Sequence, residues 1–428
     1  MKKNDDYIKR AAAVVPSERQ LKWHELEFYA FIHFGMNTFT NSEWGNGNDD
    51  PVLFNPEKLN ANQWAAAVRA AGMKAIILTC KHHDGFCLWP SEYTDYSVKK
   101  SKWKDGQGDV VRECAEACKK FGLKFGVYLS PWDRHDPRYG EGEAYNKYFK
   151  NQLRELLTNY GDIFCVWFDG ACGEGKNGRK QEYDWQGYYD LIRECQPEAV
   201  ISVTGPDVRW CGNEAGVCRK SEWNVVPYYY SNQELIAAAS QQTAEKPPKR
   251  ISATTLDLGS RKAIKNVSKL IWYPAEVDVS IRKGWFYHLN EDYEVKPLSK
   301  LMEIYYNSVG ANASLLLNIP PNKDGLFAQR DVETLLAMGA QLQIDFNEDL
   351  ADDSCHLDEE HRGQMALTHT TDEYWHSGFD PDHATLTLDL GDDYDIDKIV
   401  LSEHIATGQQ IEKFSLYGQI NGKWKKIF

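Results

Sequence analysis

The chain has 428 residues, 42% of them hydrophobic, and its formal net charge is −14. This length is too great for one compact core and predicts one large domain with a smaller one. The acidic balance repels phosphate backbones, so no nucleic-acid partner is expected. No stretch of the sequence approaches the roughly 18 apolar residues that predict a membrane span, so membrane insertion is not expected either.

The N-terminal sequence MKKNDDYIKR has no apolar segment typical of a signal peptide. We therefore expect either a cytoplasmic protein or an exported protein whose signal has been removed. The ten cysteines include no CxxC pair, which argues against a structural zinc site. Because several of them fall in predicted strands and helices, we expect small buried thiols in a reduced protein.

Apolar runs typical of buried strands alternate with helical patterns over the first three hundred or so residues. The predicted strands are 28–34, 74–79, 124–129, 163–168 and 199–203, and the predicted helices are 61–71, 109–121, 143–160 and 185–195. Residues 271–281 and 313–319 are predicted to be closing strands, with a helix over 296–308 between them. Repeats of about 40 residues in this order predict parallel strands with right-handed crossovers. The fold class is therefore α/β, and an eight-stranded (β/α)8-like (TIM) barrel fits the length better than an open sheet.

The pattern changes after about Gly339. Alternating apolar and polar residues at 384–390, 396–401, 413–417 and 424–428 predict an antiparallel β-sandwich. We therefore expect a catalytic barrel over residues 1–340 and a β-sandwich over residues 341–428. The sandwich is short and ends in the middle of its pattern, as a truncated one would.

Polar and aromatic side chains follow five consecutive predicted strands. The second strand, for example, ends in the segment IILTCKHHDGFCLWP at residues 76–90. Barrel active sites assemble where the carboxyl ends of the strands meet, so these side chains are expected to share one site. They are His33, Glu43, Trp44, His82, His83, Tyr128, Trp132, Trp167, Asp169, Trp210 and Glu214, and Trp285 is a further candidate for stacking on a sugar ring.

Two carboxylates in this set suit acid and nucleophile chemistry. Asp169 ends a strand, so it is expected to project from a rigid element as a nucleophile would; an Asp-Gly turn is the alternative. Glu214 lies in a loop, where burial against Trp210 would raise its pKa and suit it to general acid catalysis. A solvated loop glutamate is the alternative for Glu214, and Glu222 competes for the acid role.

The histidines have three interpretations: structural groups, metal ligands, or hydrogen-bonding groups for a polyol, which we favour. His82 and His83 would point to opposite faces if the strand continued, which disfavours joint ligation of one metal. The H-x-H spacing typical of amidohydrolase metal sites is also absent. We therefore expect no metal and no cofactor.

With these residues in view, the chain resembles the α-L-fucosidases of glycoside hydrolase family 29 over roughly residues 20–340. The matching segments are, in order, FIHFGMNTF, NSEWG, AGMKAIILTCKHHDGFCLWPS, GVYLSPWDRH, VWFDGACGEG, GPDVRWCGNEAG, AEVDVSIRKGWFYH and SVGANASLLLNIPP. The resemblance implies a (β/α)8-like barrel, a carboxy-terminal β-sandwich, and retaining hydrolysis of terminal α-L-fucose without a cofactor.

The resemblance also implies roles for single residues. Asp169 in VWFDG matches the nucleophile, and the positions that hold the fucose are matched by His33, Glu43, Trp44, His82, His83, Tyr128, Trp167 and Trp285. The segment GPDVRWCGNEAG resembles the subfamily that prefers α-1,3/1,4-linked fucose, with Glu214 at its acid/base position.

The implied partner is therefore a fucosylated oligosaccharide of the branched, Lewis type. Two competing hypotheses are a non-catalytic fucose-binding protein and a metal-dependent hydrolase on the same barrel. The sequence makes no prediction of oligomeric state.

Overall fold

The computed structural model describes residues 6–233, 236, 257–351, 363–368, 370–377 and 384–428. The chain divides into two compact units, Ser17–Leu342 and a smaller one that combines the N-terminal residues up to Pro16 with Gln343–Phe428. The assignment of residues 1–340 to one catalytic domain stays a prediction. None of the helices described is long and apolar enough to cross a membrane.

The larger unit contains an eight-stranded parallel barrel and a separate two-stranded sheet of β7 and β8. The strands described in this unit are β1 (Phe28–Ile32), β2 (Ala75–Lys81), β3 (Lys124–Leu129), β4 (Ile163–Phe168), β5 (Val200–Val203), β6 (Arg209–Trp210), β7 (Val225–Pro227), β8 (Leu270–Trp272), β9 (Ala275–Ser280) and β10 (Ala313–Asn318). The barrel order is β5-β4-β3-β2-β1-β10-β9-β6, and every neighbouring pair is parallel. A single bridge between Ser202 and Val208 joins the two end strands. The predicted (β/α)8-like barrel is confirmed.

Helices lie between most of the barrel strands. The α-helices described are α1 (Asp6–Ala12), α2 (Glu18–His24), α3 (Met36–Thr40), α4 (Ala61–Ala70), α5 (Val110–Phe121), α6 (Glu143–Asn159), α7 (Trp185–Cys195), α8 (Arg261–Ile264), α9 (Leu298–Ser308) and α10 (Gln329–Asp345). Helix α5 shows why helix ends can be predicted from the sequence, because residues typical of helix caps stand at both of its ends. The Asp109 side chain accepts from the Arg112 N–H at 2.9 Å, and Gly122 ends the helix at a φ of 69°.

The core has two layers. Alternate strand residues such as Ile76 and Leu78 pack against helix residues such as Trp64 in the outer layer. Aromatic residues including Phe31 and Trp167 fill the barrel interior. The nine cysteines within the described residues are thiols outside any disulfide and are mostly buried, while Cys355 lies outside those residues.

Two features of the barrel differ from the predictions. Residues 271–281 do not form one strand, because β8 pairs with β7 in a separate antiparallel sheet and only β9 belongs to the barrel. The break falls at Pro274, whose nitrogen cannot donate to a strand ladder. Strand β6 was not predicted, since a two-residue strand has no recognisable apolar run.

The smaller unit contains an antiparallel hairpin of β11 (Tyr417–Ile420) and β12 (Lys423–Lys426). Asn421 and Gly422 join these strands at φ values of 51° and 72°, as a type I′ turn requires. The antiparallel character predicted for this region is therefore confirmed. The strands predicted at 384–390 and 396–401 do not form within the described residues. Apolar side chains there, such as Val400 and Leu401, are exposed, so burial does not stabilise a strand.

Candidate active site

The predicted site residues come together at the carboxyl ends of the barrel strands. His33 follows β1, His82 and His83 follow β2, and Asp169 follows β4. Because all these strands are parallel, their ends lie on one rim. The side chains form a connected set, in which His82 contacts both His33 and His83, and His83 contacts Asp169. The other members are Tyr128 in β3, Trp167 in β4, Trp210 in β6, and Glu43, Trp44, Trp132, Glu214 and Trp285 in the loops of this rim.

Asp169 is held by donors on both carboxylate oxygens. The Tyr128 hydroxyl donates to Oδ2 at 2.9 Å, and the Ala171 backbone N–H donates to Oδ1 at 2.8 Å. The His83 Nε2 atom lies 3.6 Å from Oδ2, and 24% of the Asp169 side chain is exposed. The carboxylate is therefore fixed in orientation but still accessible, as a nucleophile must be.

Glu214 lies in the loop after β6, with its Oε2 atom accepting from the Trp285 indole N–H at 3.2 Å. Glu214 is exposed at the surface of this loop, but partial loss of hydration raises its pKa, and the negative charges of Asp169 and Glu43 raise it further, against the opposing effect of the Trp285 bond. The indole N–H of Trp210, against which Glu214 was predicted to be buried, donates to Asp278 at 2.7 Å. A raised pKa suits a group that must donate a proton near neutral pH.

The surroundings of Glu222 do not suit it to compete with Glu214 for the acid role. It is buried, and its two oxygens accept from the guanidinium groups of Arg209 at 2.6 Å and Arg219 at 2.9 Å. Burial acts to raise the pKa of Glu222, but the two guanidinium groups outweigh it and lower the pKa. Glu222 is therefore an ionised member of a structural ion cluster.

The prediction that His82 and His83 point to opposite faces required the strand to continue, and this condition is not met. Strand β2 ends at Lys81, so the alternation does not continue, and the two ring centroids are 4.1 Å apart. One ligand atom from each of His82, His83 and Asp169 lies within 4.8 Å of the others, so this group could hold a metal ion.

Burial keeps the three histidines of the site uncharged. Burial lowers the pKa of His33 to about 3 and lowers the pKa of His82 well below its ordinary value. Burial also lowers the pKa of His83, although the Asp169 charge opposes this. Neutral imidazoles each offer one N–H donor and one nitrogen acceptor, which suits the binding of hydroxyl groups.

Aromatic rings line the site at two depths. Trp44 is 44% exposed and packs edge-on against Trp132 and His83 near the surface. Trp167 is buried and stacks on Tyr128 with the ring centroids 5.4 Å apart. This places Trp44 where a sugar can reach it and makes Trp167 part of the site floor.

Glu43 supports the site through the backbone. Its carboxylate accepts from the backbone N–H groups of Trp285 at 2.9 Å and Phe286 at 3.2 Å. It also lies 2.6 Å from the Nε2 atom of His288, a residue that was not predicted from the sequence. Glu43 thus fixes the loop that carries Trp285.

Four further residues were missed: Glu276, Asp278, Asn318 and Asn37. Glu276 accepts from the Trp167 indole at 2.7 Å, while Asn318 and Asn37 bond to His33 and His82. The alternating acids of AEVDVS and the asparagine that ends ASLLLN were the available signals, because polar residues in barrel strands face the interior or the rim.

Comparisons with known proteins show the family to which this chain is similar. The α-L-fucosidase family model matches residues 48–347. Alpha-L-fucosidase 1 of Arabidopsis thaliana is 40% identical over 424 residues, which cover 96% of this chain and 79% of that protein.

Solved structures show the same similarity. A crystal structure from Bacteroides ovatus is 48% identical with a TM-score of 0.74, covering 84% of this chain and 60% of that one. This chain therefore spans about three fifths of the Bacteroides protein. A Ruminococcus gnavus GH29 fucosidase in complex with fucose is 28% identical with a TM-score of 0.81, covering 97% of this chain and 87% of that one.

Proposed function

Because this chain belongs to the α-L-fucosidases of glycoside hydrolase family 29, we propose that it hydrolyses terminal α-L-fucosides with retention, using Asp169 and Glu214. One observation supports this most strongly. Two carboxyl groups share the barrel mouth, one fixed by the Tyr128 and Ala171 donors and the other with a raised pKa. Different environments for two carboxyl groups are what a nucleophile and an acid require.

The reaction has two displacement steps. Asp169 attacks the anomeric carbon while Glu214 transfers its proton to the departing glycosidic oxygen. Glu214, now ionised, then removes a proton from water, which attacks the anomeric carbon and releases both Asp169 and fucose. The two carboxyl groups of a retaining enzyme are expected about 5–5.5 Å apart.

The remaining residues hold the sugar. Three neutral histidines, His33, His82 and His83, exchange hydrogen bonds with hydroxyl groups, and Tyr128 orients the nucleophile. Apolar ring faces are offered by Trp44, Trp132, Trp167, Trp210 and Trp285.

The substrate that we propose is α-1,3/1,4-linked fucose on a branched, Lewis-type oligosaccharide. The support is the segment GPDVRWCGNEAG, which resembles the subfamily with that preference and carries Glu214. We also propose that residues 341–428 form a separate β-sandwich domain that follows the catalytic barrel.

A metal-dependent hydrolase is the second candidate, because His82, His83 and Asp169 are close enough to share an ion. Sensitivity to chelators distinguishes it from the proposed mechanism, which uses no metal. A fucose-binding protein without catalysis is the third candidate, and it predicts tight fucose binding with no turnover.

The nucleophile is tested by Asp169→Ala with azide added. We expect turnover to fall by roughly 10⁴-fold or more. Azide then attacks the anomeric carbon directly and restores turnover with an inverted β-fucosyl azide as product. Asp162→Ala is the matched control, since Asp162 is exposed at the opposite end of β4. Near-normal turnover by Asp169→Ala without azide contradicts the assignment.

A further inference from the structure

We propose that Asn318 and Asn37 are positioning residues that hold His33 and His82 in opposite neutral tautomers. His33 then accepts a hydrogen bond from one hydroxyl group of the bound sugar, and His82 donates a hydrogen bond to another. The inference rests on the proposed function in one respect, because the hydroxyl groups belong to the fucose.

The Asn318 amide has only one possible orientation. Its Nδ2 atom donates to the backbone oxygen of Trp285 at 2.8 Å and to the Ser280 hydroxyl at 2.9 Å. A carbonyl oxygen can only accept, so the amide N–H₂ must face Trp285. The Oδ1 atom therefore faces His33, where it lies 3.2 Å from the backbone nitrogen and 2.8 Å from the Nδ1 atom.

This orientation determines the proton position on His33. An amide oxygen accepts only, so Nδ1 of His33 carries the proton and Nε2 carries a lone pair. Within the described residues no protein group bonds Nε2, and it is not among the fully enclosed polar atoms without a partner. Nε2 is therefore available as an acceptor for a ligand hydroxyl.

Asn37 acts on His82 with the opposite polarity. The Asn37 Nδ2 atom donates to the Glu43 backbone oxygen at 3.0 Å, which fixes the amide orientation by the same reasoning. The same Nδ2 atom lies 3.3 Å from Nδ1 of His82, so this ring nitrogen must accept. The proton of neutral His82 is therefore on Nε2, which becomes a donor.

The Asn37 amide also has an unusual feature. Its side chain is fully buried, and its Oδ1 atom has no hydrogen-bond partner among the described residues. Native proteins rarely leave such a group unpaired without a functional reason. A flip of the amide that exchanged Oδ1 and Nδ2 would place Oδ1 against the Glu43 backbone oxygen, and two acceptors would then face each other. The unpaired Oδ1 atom is therefore tolerated, and Nδ2 keeps its position beside His82.

The two rings are neighbours, with centroids 5.6 Å apart. One nitrogen of each ring is held by an asparagine amide, Nδ1 of His33 as a donor and Nδ1 of His82 as an acceptor, so each neutral imidazole has a defined tautomer. A polyol that meets this pair must donate from one hydroxyl and accept at another. Reversing either tautomer brings two protons or two lone pairs together, which we expect to weaken fucose binding by about ten- to a hundredfold.

The tautomers are measured directly by ¹⁵N–¹³C correlation spectra of the histidine-labelled chain without sugar. His33→Gln and His82→Gln variants identify the two sets of signals. We expect His33 to be protonated on Nδ1 alone and His82 on Nε2 alone at neutral pH. Any other protonation pattern at either ring overturns the proposal.

The positioning roles are tested with Asn318→Asp and Asn37→Asp. A carboxylate at 318 stabilises charged His33 and adds a proton at its Nε2, while a carboxylate at 37 cannot donate and draws the His82 proton to Nδ1. Fucose affinity, measured by calorimetry, is expected to fall ten- to a hundredfold in each variant. Asn159→Asp is the control, because Asn159 is exposed at the end of α6, and it is expected to change neither spectrum nor affinity.

Circular dichroism establishes whether each variant is folded, and if one is not, the wild-type tautomers and the other variant decide the outcome. A variant with an altered tautomer and unchanged affinity overturns the proposal. Absence of fucose binding and release by the unmodified chain contradicts the proposed function instead, since the tautomers are measured without sugar.

Discussion

Trp285 connects the proposed acid to the residues that shape the sugar site. Its indole N–H donates to Glu214, its backbone N–H donates to Glu43, and its backbone oxygen accepts from Asn318. The ring also packs against His33 with centroids 5.0 Å apart. A change in this one residue is therefore expected to affect catalysis through Glu214 as well as sugar binding.

Trp285→Phe is expected to move the basic limb of the kcat/KM pH profile to higher pH. The indole N–H stabilises the Glu214 carboxylate and lowers its pKa, so removing this donor raises the pKa further. A general acid must be protonated, so activity then persists to higher pH. Trp44→Phe, which does not touch Glu214, is the control, and an unmoved or lowered limb in Trp285→Phe contradicts this account.

Glu214→Gln is expected to affect substrates according to their leaving groups. Loss of the acid should slow fucose release from a glycan by about 10²–10⁴-fold. An aryl fucoside with an acidic leaving group needs less protonation, so its first step should slow much less. Burst kinetics on both substrates, each compared with the wild type, measure this difference; equal losses on both would remove Glu214 from the acid role.

The sequence allows Asp169 and Glu214 to be predicted because each lies in a recognisable local segment. The sequence does not allow the contacts between distant residues of the site to be predicted. Asn318 bonds to His33 across 285 positions, and Glu222 is excluded as the acid only by its contacts with Arg209 and Arg219. Such contacts depend on how the barrel brings distant strand ends together.

Strand β9 shows how one element separates core from site. Ala275, Val277 and Val279 pack in the outer core. Glu276 and Asp278 alternate with them and face the barrel interior, where they hold the indoles of Trp167 and Trp210. The strand therefore carries two buried carboxyl groups whose charged forms are costly.

Glu276→Gln is expected to remove part of the pH dependence of stability. Burial raises the pKa of Glu276 to about 7 from an ordinary value near 4.5. The folded state then binds more protons than the unfolded state between these pH values, so stability falls as the pH rises through this window. The shift corresponds to about 3 kcal/mol of unfolding free energy.

Urea unfolding at pH 5 and pH 8 measures this effect. The stability of Glu276→Gln relative to the wild type should increase between these pH values. Glu303→Gln, at an exposed position in α9, is the control and should show no such increase. A constant difference between Glu276→Gln and the wild type would contradict the assigned protonation.

Helix α10 packs closely on the end of α4, so a larger side chain at this contact is expected to destabilise the fold. A Cβ atom at Gly339 would lie 1.9 Å from the backbone oxygen of Ala70, whereas one at Gly310 would meet nothing within 4 Å. Gly339→Ala should therefore lower the unfolding free energy by about 1–3 kcal/mol. Gly310→Ala is the control, with an expected change within about 0.5 kcal/mol. Similar values for both variants in urea unfolding would show that the helices can move apart.

Elements with long apolar runs were predicted well, and short or interrupted ones were not. Strands β3 and β4 agree with the predicted bounds, because a strand buried on both faces has a continuous apolar sequence. Strand β6 has two residues, and Pro274 separates β8 from β9 although their apolar pattern is continuous. The bounds of such strands depend on which strand they pair with, and the apolar pattern of the sequence does not contain this information.

At the scale of the whole molecule, the nearly closed ring of parallel strands explains why residues from six strand ends, those of β1, β2, β3, β4, β6 and β9, form one site. The fold class was predictable since the repeated strand and helix order permits few topologies. That the predicted side chains meet at one rim follows from the barrel fold. What these side chains bind or catalyse depends on the individual groups. The cluster of His82, His83 and Asp169 is the clearest case, because its ligand atoms are close enough to hold a metal ion whereas the proposed function assigns them to the sugar.

Dialysis against EDTA is expected to leave fucosidase turnover unchanged, and elemental analysis should find no stoichiometric metal. The reason is that Asn37 donates to Nδ1 of His82, which places the proton on the Nε2 atom that a metal would need. Recovery of lost activity by one added divalent ion would support the metal-dependent hydrolase.

The most direct test of the central claim is fucose release from a Lewis-type trisaccharide and from an aryl α-L-fucoside, with wild type and Asp169→Asn compared. We predict strong release from the branched glycan by the wild type, weak release from the aryl fucoside, and loss of both in the variant. Equal wild-type activity on the two substrates would retain the fucosidase and remove the linkage preference. Undiminished release by Asp169→Asn, or none by the wild type on either substrate, would contradict the account.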